Sequence, residues 1–198
     1  GAFSGVGLEM AFWFILKGAR NLVLNSRGGP KDEYDRYALQ RMKKMGVNVI
    51  VSQDNLIDYN NSKELIERIE KIGILGGIFN CALILHDAGF KDQTKEIFKK
   101  VCEPKGKITM HMDKLTRDKC KNLDYFVVMS SVITGRGNPG QSNYAYANNI
   151  MESICMKRKK DGLPGLSIQW GFIGDVGYVV KNMGNIMAIR GSAPQRIY

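Results

Sequence analysis

No stretch of this chain approaches the roughly 18 uninterrupted apolar residues that a membrane-crossing helix needs, so no transmembrane span is expected. No basic, then apolar, then small-residue segment opens it, which argues against secretion. Histidine is scarce, with His86 and His111 the only two. The four cysteines, Cys81, Cys102, Cys120 and Cys155, form no CxxC pair and no zinc-type spacing. A metal site is therefore not expected, and the cysteines are read as reduced, mostly packed thiols. Acidic residues are few beside basic ones, 19 against 29, for a formal charge of +10. That excess suits an acidic or phosphorylated partner. The lysines are scattered, however, and no aromatic interleaving, zinc finger or helix-turn-helix accompanies them, so nucleic acid is not expected. The one basic run, Lys157-Arg158-Lys159-Lys160, is read as a solvated helix end, where positive charge suits the dipole. Repeats, low-complexity segments and linkers are also missing. One domain over residues 1–198, large enough for a hydrophobic core, is the expectation.

What is present is alternation. An apolar helical stretch runs from Leu8 to Lys17, with Gly18 as its stop. Asn21 to Asn25 is a buried-strand candidate. Asp32 to Met45 is expected as a helix and Val47 to Ser52 as a strand. Ser62 to Ile72 is amphipathic, with Asn61 or Ser62 as its N-cap candidate. Gly76 to Leu85 reads as a strand and its exit, and Thr94 to Cys102 and Lys107 to Thr116 as helices. Leu123 to Ser130 is a strand, Asn143 to Lys160 a long helix, and Leu166 to Trp170 a strand. Nearly all-apolar strands such as Tyr125-Phe126-Val127-Val128-Met129 belong to a parallel sheet covered on both faces. The expected class is α/β, a Rossmann-like doubly wound parallel sheet with helices on both faces. A dinucleotide loop follows a strand, and none precedes Gly1. That strand is central in a doubly wound sheet, so the sequence is expected to begin inside the domain or to be a damaged copy. The stretch after Tyr178, with Gly184, Gly191 and Pro194, is irregular.

The opening Gly1-Ala2-Phe3-Ser4-Gly5-Val6-Gly7 gives G-x-x-x-G-x-G at the start of a helix. Glycine permits the tight turn and a close backbone approach to a pyrophosphate, and the helix start offers unpaired N–H groups. Alone, the pattern also fits a structural turn. Its place at the head of an alternating chain points to a dinucleotide, held by Gly1, Ser4, Gly5, Val6 and Gly7. The strand candidate over 21–25 runs out into Ser26 and Arg27. An NAD site wants an acidic residue about 20 residues past the glycines. Arg27 instead suits a 2′-phosphate, which favours NADPH over NADH. Asp54 and Asn55 are candidates for the adenine edge, a plain turn being an equal reading. Asn80-Cys81-Ala82 follows another strand, where small residues let backbone approach the cofactor.

Tyr144 and Asn148 are four apart and share a helix face, and Ser131 lies thirteen residues before Tyr144. Reducing a carbonyl by hydride requires a proton donor at the forming alkoxide. The ordinary tyrosine pKa, near 10, is high for that task, and a neighbouring ammonium lowers it. Ser131 can hydrogen-bond the carbonyl oxygen, and Asn148 can hold a water or a lysine. From the residues alone, packing or capping is the reading that Tyr144 and Asn148 favour.

Longer motifs narrow the reading. They are Gly5-Val6-Gly7-Leu8-Glu9, Gly76-Gly77-Ile78-Phe79-Asn80, Val101-Cys102-Glu103-Pro104-Lys105, Gly135-Arg136-Gly137-Asn138, Gly140-Gln141-Ser142-Asn143-Tyr144, Gly162-Leu163-Pro164-Gly165-Leu166, and Gln169-Trp170-Gly171 with Gly174-Asp175-Val176-Gly177. With these, the chain resembles the ketoreductase domain of animal (insect) fatty acid synthase, in the short-chain dehydrogenase/reductase superfamily, over nearly all its length to about Tyr178. Most of that superfamily has Tyr-x-x-x-Lys; here Asn148 stands in place of the lysine. The resemblance implies the exchange found in multifunctional fatty acid and polyketide synthases, with the lysine moved to follow a proline, at Lys105. It thus assigns Lys105, Ser131, Tyr144 and Asn148 as the catalytic group, with Asp87 and Gln141 on the substrate side. It also implies NADPH as cofactor, an acyl-carrier protein presenting a phosphopantetheine-bound 3-oxoacyl group, further domains in the same synthase, and a homodimer at full length. Ala2 and Ser4 replace glycines usual in the family's loop, and Gly106-Lys107-Ile108 lacks a glycine near Ile108, a departure that bears on the aim of Lys105. A polyketide-type reductase and a nucleotide-binding homologue without turnover are the alternative readings.

Overall fold

The computed structural model describes residues 1–171 and 173. The motif Gly174-Asp175-Val176-Gly177 and the irregular stretch after Tyr178 lie outside the described residues. The chain divides into two compact units, one comprising residues 1–54 and the other Asn55–Trp170.

In the first unit, helix α1 (Gly5–Leu16) leads to strand β1 (Asn21–Asn25), helix α2 (Glu33–Lys44) and strand β2 (Asn48–Ser52). Leu8, Ala11 and Ile15 recur at helical spacing and are buried with Leu24, Ala38, Met42 and Val47 in one cluster. Gly18, at φ 103°, closes α1 in a conformation that side chains with a Cβ avoid. Strands β1 and β2 pair in parallel from Asn21↔Asn48 to Asn25↔Ser52.

The second unit contains α3 (Tyr59–Glu70), β3 (Gly77–Asn80), α4 (Lys95–Cys102), α5 (Ile108–Lys119), β4 (Tyr125–Ser131), a short α6 (Ile133–Arg136), α7 (Ser142–Lys160) and β5 (Leu166–Trp170). Its strands pair in parallel in the order β3-β4-β5. The registers run from Gly77↔Tyr125 and from Val127↔Leu166 to Ser131↔Trp170. The strand pairings described are all parallel, in a two-stranded sheet β1-β2 in the first unit and a three-stranded sheet β3-β4-β5 in the second. Helix α7 packs on β4, its buried Ala147 and Met151 among the core residues with Phe126 and Val128.

Three local expectations are corrected. Helix α3 starts earlier than its amphipathic stretch, because Asp58 caps it by accepting the amide protons of Asn60 and Asn61 at 2.8 and 3.0 Å. Ser62 is instead buried, donating to the Leu56 carbonyl at 2.9 Å. Ser131 is the last residue of β4 rather than a loop residue beyond it. The basic run near the end of α7 is not all solvated. Lys157, Lys159 and Lys160 are exposed, but Arg158 is buried over the Phe126 ring. It donates to Asp113 at 2.8 Å and to the Pro164 carbonyl at 2.6 Å.

Candidate active site

Lys105 sits in the middle of a π-helical turn, Glu103–Lys107, joining α4 to α5. The wide turn is closed by the Ile108 amide donating to the Glu103 carbonyl, five residues back. It directs Lys105 inward, where Nζ donates to the Met129 carbonyl at 2.7 Å and lies 5.3 Å from the centre of the Tyr144 ring. Asn80, at the end of β3, holds this turn. Its Nδ2 donates to Thr109 Oγ1 at 2.9 Å and to the Pro104 and Lys105 carbonyls, each at 3.3 Å. The sequence suggested a cofactor contact for Asn80; its side chain is committed to the lysine turn, and its Oδ1 accepts the Ala82 amide at 3.0 Å. A Cβ on Gly106 would meet Ile150 of α7 at 3.2 Å, so the turn lies tightly on that helix. The aim of Lys105 thus survives the departure near Ile108.

Tyr144 and Asn148 project from the first turns of α7. Asn148 is fully buried, and its Nδ2 donates to the Tyr144 carbonyl at 2.9 Å. Its Oδ1 has no partner among the described residues. A buried acceptor left unpaired is costly, and it is an anchoring point for a water or an ammonium. Burial pushes the Tyr144 phenol above its ordinary pKa, against hydrogen bonding from Asn148 and Ser131, while the Asp87 charge adds to the rise. The sequence expectation was that a neighbouring ammonium lowers this pKa; instead burial dominates, the opposing influences are the hydrogen bonds from Asn148 and Ser131, and Tyr144 is an acid that keeps its proton at neutral pH. Lys105 moves the other way, down to about 8, because burial disfavours the ammonium.

Asp87 accepts Gln141 Nε2 at 2.9 Å, so the two substrate-side candidates touch. Sequence reasoning missed two residues that shape the turn entering α7. Asn143, fully buried, donates to the His86 carbonyl at 3.0 Å and to Gln93 Oε1 at 3.1 Å, and its Oδ1 accepts the Tyr144 amide at 2.6 Å. Gln93 in turn donates to the carbonyls of Ala88 and Gly140 at 3.1 and 3.3 Å. The sequence signals were weak: Asn143 stood at the start of the long helix, inside the motif before Tyr144, and Gln93 was a polar residue in a stretch read as loop.

In the first unit, Ser4 caps α1, accepting the Gly7 amide at 3.1 Å and donating to the Gly1 carbonyl at 2.8 Å. A Cβ on Gly7 would lie 2.6 Å from the Gly1 and Ala2 carbonyls, so only glycine lets the turn fold against the helix start. Gly5 and Val6 form the first turn of that helix. The Ser26 amide donates to the Ser52 carbonyl at 2.9 Å, and the Arg27 that follows is exposed. Ser52 donates to Asp54 Oδ2 at 2.6 Å, which orients that carboxylate. In the second unit, Asn55 Oδ1 accepts the Ile57 amide at 3.4 Å, a turn role, and Cys81 lies between Asn80 and Ala82. A glycine-bound helix start and an unacidic β1 exit bearing Arg27 fit a 2′-phosphorylated dinucleotide.

A parallel α/β fold in which a half-buried tyrosine meets a serine, a lysine and an asparagine defines a short-chain dehydrogenase/reductase. Within that class the chain belongs to the KR domain family, ketoreductases, whose model matches residues 1–175. Ketoreductases of this kind use NADPH. The chain is 33% identical over 182 residues to the hybrid PKS-NRPS synthetase iccA of Talaromyces variabilis, covering 91% of this chain and 4% of that protein. It is 33% identical over 186 residues to the highly reducing polyketide synthase frbB of a Dothideomycetidae species, covering 92% of this chain and 7% of the relative. Among solved structures, the A-type ketoreductases from modular polyketide synthase superpose with a TM-score of 0.91 at 27% identity, over 99% of this chain and 41% of theirs. These relatives are polyketide synthases, not the animal fatty acid synthases that the motifs resemble.

Proposed function

We propose that this chain reduces the 3-oxo group of an acyl thioester to a 3-hydroxy group, as the ketoreductase of a multidomain synthase of polyketide type. The observation that carries the reading is the convergence of Lys105, from the 103–107 turn, and Asn148, from α7, on Tyr144. Gly1, Ser4, Gly5, Val6, Gly7, Ser26 and Arg27 would hold NADPH, with Asp54, Asn55, Cys81 and Ala82 as further contacts. Bound NADPH supplies the hydride to the carbonyl carbon. Ser131 and Tyr144 hydrogen-bond the carbonyl oxygen, and the phenol passes its proton to the oxygen as negative charge develops there. Lys105 holds positive charge beside the ring and returns a proton to the phenolate, with a water on Asn148 Oδ1 as carrier. Asp87, braced by Gln141, borders the approach of the acyl group.

The substrate is presented by an acyl-carrier protein on a phosphopantetheine arm, whose acidity the basic surface suits, and the neighbours are other domains of the same polypeptide. A cytoplasmic homodimer at full length completes the reading. Among the described residues no helix is long and apolar enough to cross a membrane. The test is NADPH consumption with a soluble 3-oxoacyl thioester. Tyr144→Phe is expected to lower the rate by about 10²- to 10⁴-fold. A wild-type rate no higher than that variant's overturns the reading and leaves a nucleotide-binding homologue without turnover. The fatty-acid version is favoured by the run Gly140-Gln141-Ser142-Asn143-Tyr144. A strong preference for unbranched over α-branched 3-oxoacyl substrates would select it.

A further inference from the structure

Helix α7 carries a third polar residue in line with Tyr144 and Asn148. Glu152 stands one turn beyond Asn148, at the same spacing of four. Its carboxylate reaches neither the phenol nor the lysine. It accepts the hydroxyl proton of Ser130 through Oε1, and both of its oxygens lie 3.1 Å from Gln169 Nε2. One side chain of the tyrosine helix is therefore bonded to both β4 and β5. Ser130 is buried and immediately precedes Ser131. Thr134, from α6, lies 3.4 Å from Ser130 Oγ and donates to the Ser131 carbonyl at 2.9 Å. The chain of contacts from Glu152 through Ser130 and Thr134 ends on the peptide that carries Ser131.

We propose that Glu152 is a positioning residue for the reduction: it sets Ser131 against Tyr144 by locking α7 to the ends of β4 and β5. A carboxylate is an acceptor only, with about four lone-pair sites, which matches a surround of donors from Ser130 and Gln169. Ser131 and Tyr144 must meet one carbonyl oxygen together, and they come from different elements. Apolar packing of Ala147 and Met151 on β4 is non-directional and sets no hydrogen-bond geometry between helix and strand. The carboxylate clamp adds directed bonds at the strand ends, close to the point where Ser131 leaves the sheet. The inference rests on the ketone-reduction reading.

The experiment compares Glu152→Ala, Glu152→Gln and the exchange Glu152→Gln with Gln169→Glu against the wild type and Tyr144→Phe. Glu152→Ala is expected to lower kcat by about 10- to 100-fold, since small misplacements of reacting groups have such effects. The substrate KM and the NADPH Kd are expected to stay within about twofold, because neither contact involves Glu152. Glu152→Gln should recover most of the rate, as Gln169 can turn its amide to accept from the new amide, and the exchange should do the same. Hydrogen exchange gives a readout free of turnover: amides over 132–136 are expected to exchange faster in Glu152→Ala than in Glu152→Gln. A structural role alone would lower the melting temperature and the active fraction while leaving kcat per folded molecule unchanged, and that result overturns the proposal. So does a Gln variant as slow as the Ala variant, or unchanged exchange over 132–136. If wild type and Tyr144→Phe are equally inactive, the reduction reading falls, and the exchange measurement still decides whether Glu152 holds the Ser131 segment.

Discussion

At 2% exposure, Lys105 keeps its proton with little help from water. Burial brings its pKa down to about 8, and the Met129 carbonyl is the acceptor within reach. The rate is therefore expected to fall as pH rises through about 8, where the ammonium is lost. Lys105→Arg, which stays charged to far higher pH, should move that limb upward in a pH–rate profile. Stability carries the same signature. An unfolded lysine holds its proton up to its ordinary 10.5, whereas the folded one releases it near 8. Below about 8 both states are protonated, and the folded state bears the full penalty of a buried charge. Between about 8 and 10.5 the unfolded state binds more protons, so this contribution improves with pH. The melting temperature of the wild type relative to Lys105→Met should accordingly rise across that window. Tyr144 lies on the opposite side of the balance, its proton held more firmly by burial.

Among the elements, the turn at Glu103–Lys107 and its clamp Asn80 decide where the lysine points. Asn80→Ala strips donors from Thr109, Pro104 and Lys105, and is expected to cost about 1–3 kcal/mol in denaturant unfolding, with a loss of kcat. The cap of α3 is a simpler case. Asp58→Ala leaves the amides of Asn60 and Asn61 without their acceptor and should cost about 1 kcal/mol, with activity retained. The strands Asn21–Asn25 and Leu166–Trp170 were legible to the residue, because short apolar runs between turn residues admit few other readings. Tyr144, Ser131 and Asn148 were legible as a group from spacing and motif together. The π-turn was not, since a helix interrupted by Pro104 and Gly106 reads locally as two helices with a loop. The roles of Asn80, Asn143 and Gln93 were equally hidden. Each bonds across 24 residues or more, and local pattern carries no record of such contacts.

For the whole molecule, charge acts at two depths. Buried Arg158 ties α7 to α5 through Asp113, which also holds Arg117 at 2.9 Å. Asp113→Ala leaves Arg158 enclosed without its carboxylate and should cost about 3 kcal/mol, measured by denaturant unfolding. At the surface the +10 formal charge is screened within about 10 Å at 0.1 M salt. Raising salt should therefore raise the KM for a carrier-borne substrate while leaving that of a small uncharged one unchanged. A last consequence comes from the extra residue held in the wide turn between α4 and α5. It absorbs one residue without turning the two rods out of phase. Deleting one residue from 103–107 would let the segment wind at ordinary pitch with α5 facing as before, but the side chain at 105 would leave the helix in a different direction. Such a deletion should therefore spare the fold more than the catalytic rate.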